Sequence, residues 1–136
     1  MSTHENLLTK IMDSDVNIRH SIVTDIEGKI ISTNHREGVT NYLSQEETEA
    51  SLQRAAAAWK ARKELSPKIG NGMYAVAAFE KITRITFPLF HENLIFVSMG
   101  SDTVRMDLHE GGQKQIIEHA LSCKKQPRLK SNMNRY

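Results

Sequence analysis

The sequence predicts an α+β fold: a five-stranded antiparallel sheet with helices packed on it, in the order α-β-β-α-β-β-β-α. Three features carry this reading. A glycine turn near residue 28 joins two β-rich runs, a capped helix follows Ser44, and three strand-like runs separated by polar turns lie between residues 73 and 99. Strands and helices that are each apolar on one side must bury those sides against one another, which gives a layered sandwich.

Residues 5–18 place Leu7, Leu8, Ile11, Met12 and Val16 at helical spacing, so a short amphipathic helix opens the fold. Ile22, Val23 and Ile26 form one β-rich run, and Ile30 and Ile31 the next. Gly28 between them supplies the positive φ of a tight hairpin turn. Residues 34–43 are polar, contain Gly38 and read as a loop. Ser44 with Glu47 three residues on is a capping box. Glu46, Glu47 and Glu49 then favour the positive end of the helix dipole, and Lys60, Arg62 and Lys63 the negative end. Pro67 marks the stop.

Gly70-Asn71-Gly72 breaks the chain before strands expected at residues 73–79, 82–89 and 94–99. Pro88 cannot donate to a ladder, so its end of the strand belongs at an edge or beside a turn. A last helix is expected over residues 110–123, with Ile116, Ile117, Ala120 and Leu121 on its buried stripe.

At 136 residues the chain fits a single domain over residues 1–123, followed by a basic tail at 124–136 expected to be disordered. That tail holds Lys124, Lys125, Arg128, Lys130 and Arg135 and no acid. Taking those five from eighteen bases leaves thirteen against sixteen acids, so the net +2 divides into a body of about −3 and a tail of +5. The N-terminal residues have no continuous apolar segment of the secretory kind. The longest apolar run, near residues 94–99, is far short of the roughly 20 residues of a membrane helix. With one cysteine, Cys123, the chain forms no internal disulfide; a cytoplasmic location is expected.

No enzyme signature stands out. The six histidines (His4, His20, His35, His91, His109, His119) form no HExxH, and most are expected in loops or near helix ends. No nucleophile elbow or phosphate-binding GK[ST] occurs. Cys123 and His119 are four residues apart on an apolar helix, where a thiol is ordinarily packing. No cofactor or metal is expected, and the chain reads as non-catalytic.

The order of elements resembles the roadblock/LC7 domains, relatives of the profilin-like fold. SIVTDIEGKIIST is similar to the opening hairpin of those domains, and ITRITFPLFHENLIFVSMG to their last two strands. DIEGKIISTNHREG, AAAAWKARKEL and FEKITRITFPLF also look like small archaeal proteins of this shape. The likeness spans about residues 5–122.

It implies a homodimer built from the central helix and the strand after it, which here means Leu52, Ala55, Ala56, Trp59, Lys63, Tyr74, Val76 and Ala78. The ordinary account of the block Ala55–Ala58 is that alanine is the best helix former. The function it implies is a protein-binding scaffold or regulatory module acting on a small GTPase or signalling assembly, through a protein partner yet to be identified. A PAS- or GAF-like sensor with a small ligand between sheet and helices is the alternative. Nucleic-acid binding through the five tail cations is the third, with a solubilising terminus as the plain account.

Overall fold

The structure, a computed structural model, describes residues 3–89 and 92–100. The elements are α1 (Thr3–Ser14), β1 (Ile18–Thr24), β2 (Ile30–His35), α2 (Gln45–Lys63), α3 (Ser66–Ile69), β3 (Ala75–Ala78), β4 (Ile82–Leu89) and β5 (Asn93–Gly100). The five strands form one antiparallel sheet in the order β2-β1-β5-β4-β3. β5, the last strand among the described residues, is therefore the central one. The expected final helix, Cys123, His91, His109, His119 and the basic tail lie outside the described residues.

β5 sits between β1 and β4 and is buried from Asn93 to Met99. Its side chains alternate between two cores. Ile95, Val97 and Met99 join Ile18, Val23, Ile85, Phe87 and Leu89 under α1, which contributes Leu7, Leu8, Ile11 and Met12. Leu94 and Phe96 join Ile22 on the other face under Leu52, Ala56 and Trp59 of α2. Burying one such side chain stabilises by roughly 1.5–3 kcal/mol, so both helices are held chiefly by what they cover.

The β1–β2 hairpin closes as its sequence requires. Gly28 has φ +88°, Asp25 Oδ1 accepts from the Glu27 and Lys29 amides, both at 2.9 Å, and the Gly28 amide donates to Asp25 O at 3.1 Å. The turn is also pressed onto α2. A Cβ added at Gly28 would come within 2.8 Å of Gln53 Cα.

The Ser44–Glu47 capping box forms in both directions: Ser44 Oγ accepts from the Glu47 amide at 3.1 Å, and Glu47 Oε1 from the Ser44 amide at 2.9 Å. At the other end, the Trp59 indole N–H donates to Thr86 Oγ1 on β4 at 2.9 Å, which fixes the helix's rotation over the sheet. Gly72 lies against the same ring, where a Cβ would meet Trp59 Cζ3 at 2.6 Å.

Several expectations need correction. α1 ends at Ser14, and Val16 is 81% exposed rather than part of its stripe. Its C-terminal carbonyls are taken by Arg36, which donates from Nη2 to Met12 O (2.6 Å) and Asp15 O (3.1 Å), and from Nε to Ile18 O (2.7 Å). α1 has no base in its last turn, so an arginine from the 34–43 segment supplies the positive group that a helix C-terminus favours. β2 extends to His35, into that segment.

Pro67, read as a stop, also opens the one-turn helix α3, where its missing N–H costs nothing. β3 is shorter than residues 73–79 and pairs only with Thr83–Thr86. Pro88, two positions further along β4, pairs with Leu94 of β5 beyond the end of β3.

Two of the positive-φ glycines give a paired test. Gly28→Ala and Gly38→Ala share the left-handed strain, on the order of 1–2 kcal/mol. A Cβ at Gly38 would have nothing within 4 Å, whereas one at Gly28 would meet the α2 backbone. Urea denaturation is expected to show Gly28→Ala costing at least about 1–2 kcal/mol more than Gly38→Ala; equal costs would mean that the hairpin is not seated on α2.

Candidate functional site

The sheet has two edges of unlike chemistry. β2 shows Ile31 among Ser32, Thr33, Asn34 and His35. β3 is short and small-sided, and the chain around it exposes Ile69, Met73, Tyr74, Val76 and Phe79, with Phe79 at 59%. A one-partner strand framed by exposed apolar side chains is a surface that another chain can extend.

The structure separates the candidate residues on this side of the molecule. Leu52, Ala56 and Trp59 are buried against the chain's own sheet, and Ala55 packs partly against the same cluster. Tyr74, Val76, Ala78 and Lys63 are exposed. The Lys63 Nζ lies 3.6 Å from Glu92 Oε1 in an exposed ion pair. Within the alanine block only Ala56 is fully buried, while Ala57 and, one turn on, Ala61 face outward. Ile69, Met73 and Phe79 were not singled out in the sequence, and their signal was present: apolar residues on segments too short to bury them.

Two recesses open at the ends of α2. Near its C-terminal half a groove of about 220 Å³ runs beside Trp59, Gly72, Pro88 and Leu94, with Lys60 and Lys63 at its margin. Near its N-terminal half a cavity of about 30 Å³ is bordered by Arg19, His20, Arg84 and Ser98 on the sheet and by Thr48 and Leu52 of α2. A wider surface groove, bordered by Tyr42, Leu43, Ile82 and Arg84, adjoins this cavity through those shared residues.

Strand register explains the polar character of the small cavity. Arg84 pairs with Ser98, Ser98 with His20, and His20 with His35. These four form a row across β4, β5, β1 and β2 on the face that α2 covers. The His20 and His35 rings stack with centroids 5.8 Å apart, and His35 Nε2 is 2.7 Å from Asn41 Oδ1. Both histidines thus lie in strands, not in the loops or helix ends expected for them. Arg84 donates to Ser51 Oγ.

Burial, reinforced by His35, Arg84 and Arg19, pushes the His20 pKa down to about 4 from 6.5. Burial also lowers that of Arg84. The tail candidates Lys124, Lys125, Arg128, Lys130 and Arg135 lie outside the described residues.

No family model matches the chain, and no curated protein does. Solved structures do. An MglB in a tetrameric arrangement superposes with TM-score 0.63 at 10% identity, over 88% of each chain. A roadblock/LC7 domain from Streptomyces avermitilis gives 0.62 at 10% identity, over 90% of this chain and 92% of its own. MglB of Myxococcus xanthus gives 0.60 at 11%, over 87% and 94%. This is the roadblock/LC7 fold. At 10–11% identity the shared feature is the backbone architecture.

The His20 shift has a stability consequence. Its folded pKa lies below its unfolded value, so between about pH 4 and 6.5 the unfolded chain binds more protons. Its contribution is therefore complete above pH 6.5 and is lost as pH falls toward 4. Unfolding free energy at low ionic strength is expected to drop across that window by on the order of 2–3 kcal/mol. His20→Gln should flatten the slope; an unchanged slope would place the responsible group elsewhere.

Proposed function

We propose that the chain is a non-catalytic scaffold or regulatory module that works as a homodimer and presents that dimer to a protein partner in the cytoplasm. The observation that carries this reading is the β3 edge: a strand with one neighbour among the described residues, framed by exposed Met73, Tyr74, Val76 and Phe79. Pairing two such edges would cover this apolar surface and continue the sheet into a second copy.

Tyr74, Val76 and Ala78 would meet their counterparts directly. Ala55 and Lys63 would border the seam from the other face of the sheet, on α2, with Leu52, Ala56 and Trp59 holding the helix from beneath. Small outward residues such as Ala57 and Ala61 let a second helix approach closely. The roadblock fold supports the reading, and one MglB of that fold is described in a tetrameric arrangement. The resemblance makes a small GTPase or a signalling assembly the class of partner.

A second reading follows from the 220 Å³ groove beside Trp59, which suits a small apolar ligand of the kind a sensor domain holds. Trp59 is the chain's one tryptophan, so its emission would report an occupant directly.

Light scattering on the purified chain at micromolar concentration is expected to give the mass of a dimer. Val76→Lys sets two like charges against each other across the pairing edges and should weaken the dimer roughly tenfold or more, with circular dichroism unchanged. A wild-type chain that is monomeric at these concentrations would overturn the dimer.

A further inference from the structure

The row Arg84–Ser98–His20 under the first turns of α2 is unlike the remainder of the sheet–α2 layer, which Trp59, Leu52, Phe96, Ile22 and Leu94 fill with apolar atoms. Ser98 is 2% exposed, and its Oγ has no hydrogen-bond partner among the described residues although it borders the small cavity. Leaving such a hydroxyl unsatisfied costs roughly 1–3 kcal/mol.

Among the described residues, every charged side chain facing this cavity has the same sign. Arg84 comes from β4 and Arg19 from β1, with His20 between them and His35 stacked on its far side. Arg19 is held by donation to Thr40 O and by lying 4.5 Å from the centre of the Tyr42 ring. Thr48 and Leu52 place the cavity beside the N-terminal half of α2, the positive end of its dipole. Glu46 and Glu47 are exposed on the outer groove that Arg84 also borders. Among the described residues no carboxylate pairs with Arg84 or His20.

We propose that this cavity is a binding site for one small monovalent anion, of the size of chloride or of a single carboxylate group, held by Arg84, Ser98 and His20. Its small volume, about 30 Å³, favours a compact anion over larger tetrahedral oxyanions such as sulfate. Ser98 Oγ–H donates to the anion, the Arg84 guanidinium compensates its charge, and the His20 ring donates a third N–H when protonated. A neutral water would satisfy the hydroxyl but leave two arginines uncompensated in a half-buried setting, where opposite charge is worth more than in bulk solvent. The shared border with the outer groove, through Tyr42, Leu43 and Ile82, gives a carboxylate room for the rest of its molecule, although Glu46, Glu47 and Glu80 also line that groove. No β3 residue borders the cavity, although Arg84 pairs with Ala77 of β3, and dimer mass is read separately from the His20 midpoint, so failure of one does not decide the other.

Anion binding and His20 protonation must then favour each other, because each stabilises the other's charge. The test uses the full chain, with His20 ring signals assigned by their loss in His20→Gln. It is titrated at constant ionic strength in sodium methanesulfonate, chloride, formate or sulfate. Chloride or formate is expected to raise the proton affinity of His20 roughly tenfold or more over methanesulfonate, moving its midpoint up from about 4, while sulfate moves it less. The rise should shrink in Ser98→Ala and vanish in Arg84→Gln. Melting temperature at pH 5.5 gives a reading that does not need resolved histidine signals: chloride or formate should raise it over methanesulfonate in wild type and not in Arg84→Gln. If wild-type midpoint and melting temperature are the same in all four salts, the cavity holds water and the proposal fails.

Discussion

Burying β5 on both faces is the constraint on which the other elements depend. A strand with Leu94 and Phe96 on one side and Ile95, Val97 and Met99 on the other cannot lie at an edge, and each of its faces needs a cover. α1 supplies one and α2 the other, which is why the first and fourth elements described end up on opposite sides of β5. The remaining devices hold those two covers in place. Arg36 ties the end of α1 to β1, while the Trp59–Thr86 hydrogen bond and the close approach of Gly28 to Gln53 fix α2.

The same arrangement decides where function can reside. With β5 central, β2 and β3 become the edges, and they differ in what surrounds them. β2 ends in polar residues, while β3 lies among exposed Met73, Tyr74, Val76 and Phe79. Pro88 limits how far β3 can pair, and the shortened strand leaves Met73 and Tyr74 outside the ladder. The two ends of α2 differ in the same way: Trp59 borders an apolar groove, and Arg84, Ser98 and His20 a polar cavity.

Much of the architecture was legible because its signals are local. The Asp25–Lys29 turn, the Ser44–Glu47 box and the alternation along residues 82–89 are each written within a few residues. The continuous apolar run near residues 94–99 also carried the central position of β5, since a strand buried on both faces has no polar alternation to show. What stayed hidden depends on register between distant segments. His20, His35, Arg84 and Ser98 read separately as solvated or unremarkable residues, and only cross-strand pairing sets them in one row. Arg36 reaches Met12 across 24 residues, a contact no spacing rule foresees. Val16 fits the helical stripe by spacing, but α1 ends at Ser14, two residues before it, and leaves it exposed.

The central claim is that the β3 edge, and not the β2 edge, is where this chain meets its own copy. Amide hydrogen exchange measured over a range of protein concentrations tests it most directly, because edge amides exchange quickly unless another strand covers them. The account predicts that protection over Ala75–Ala78 rises with concentration, in step with dimer mass, while that over Ile30–His35 stays constant. Concentration-independent exchange in β3, or a rise confined to β2, would contradict it.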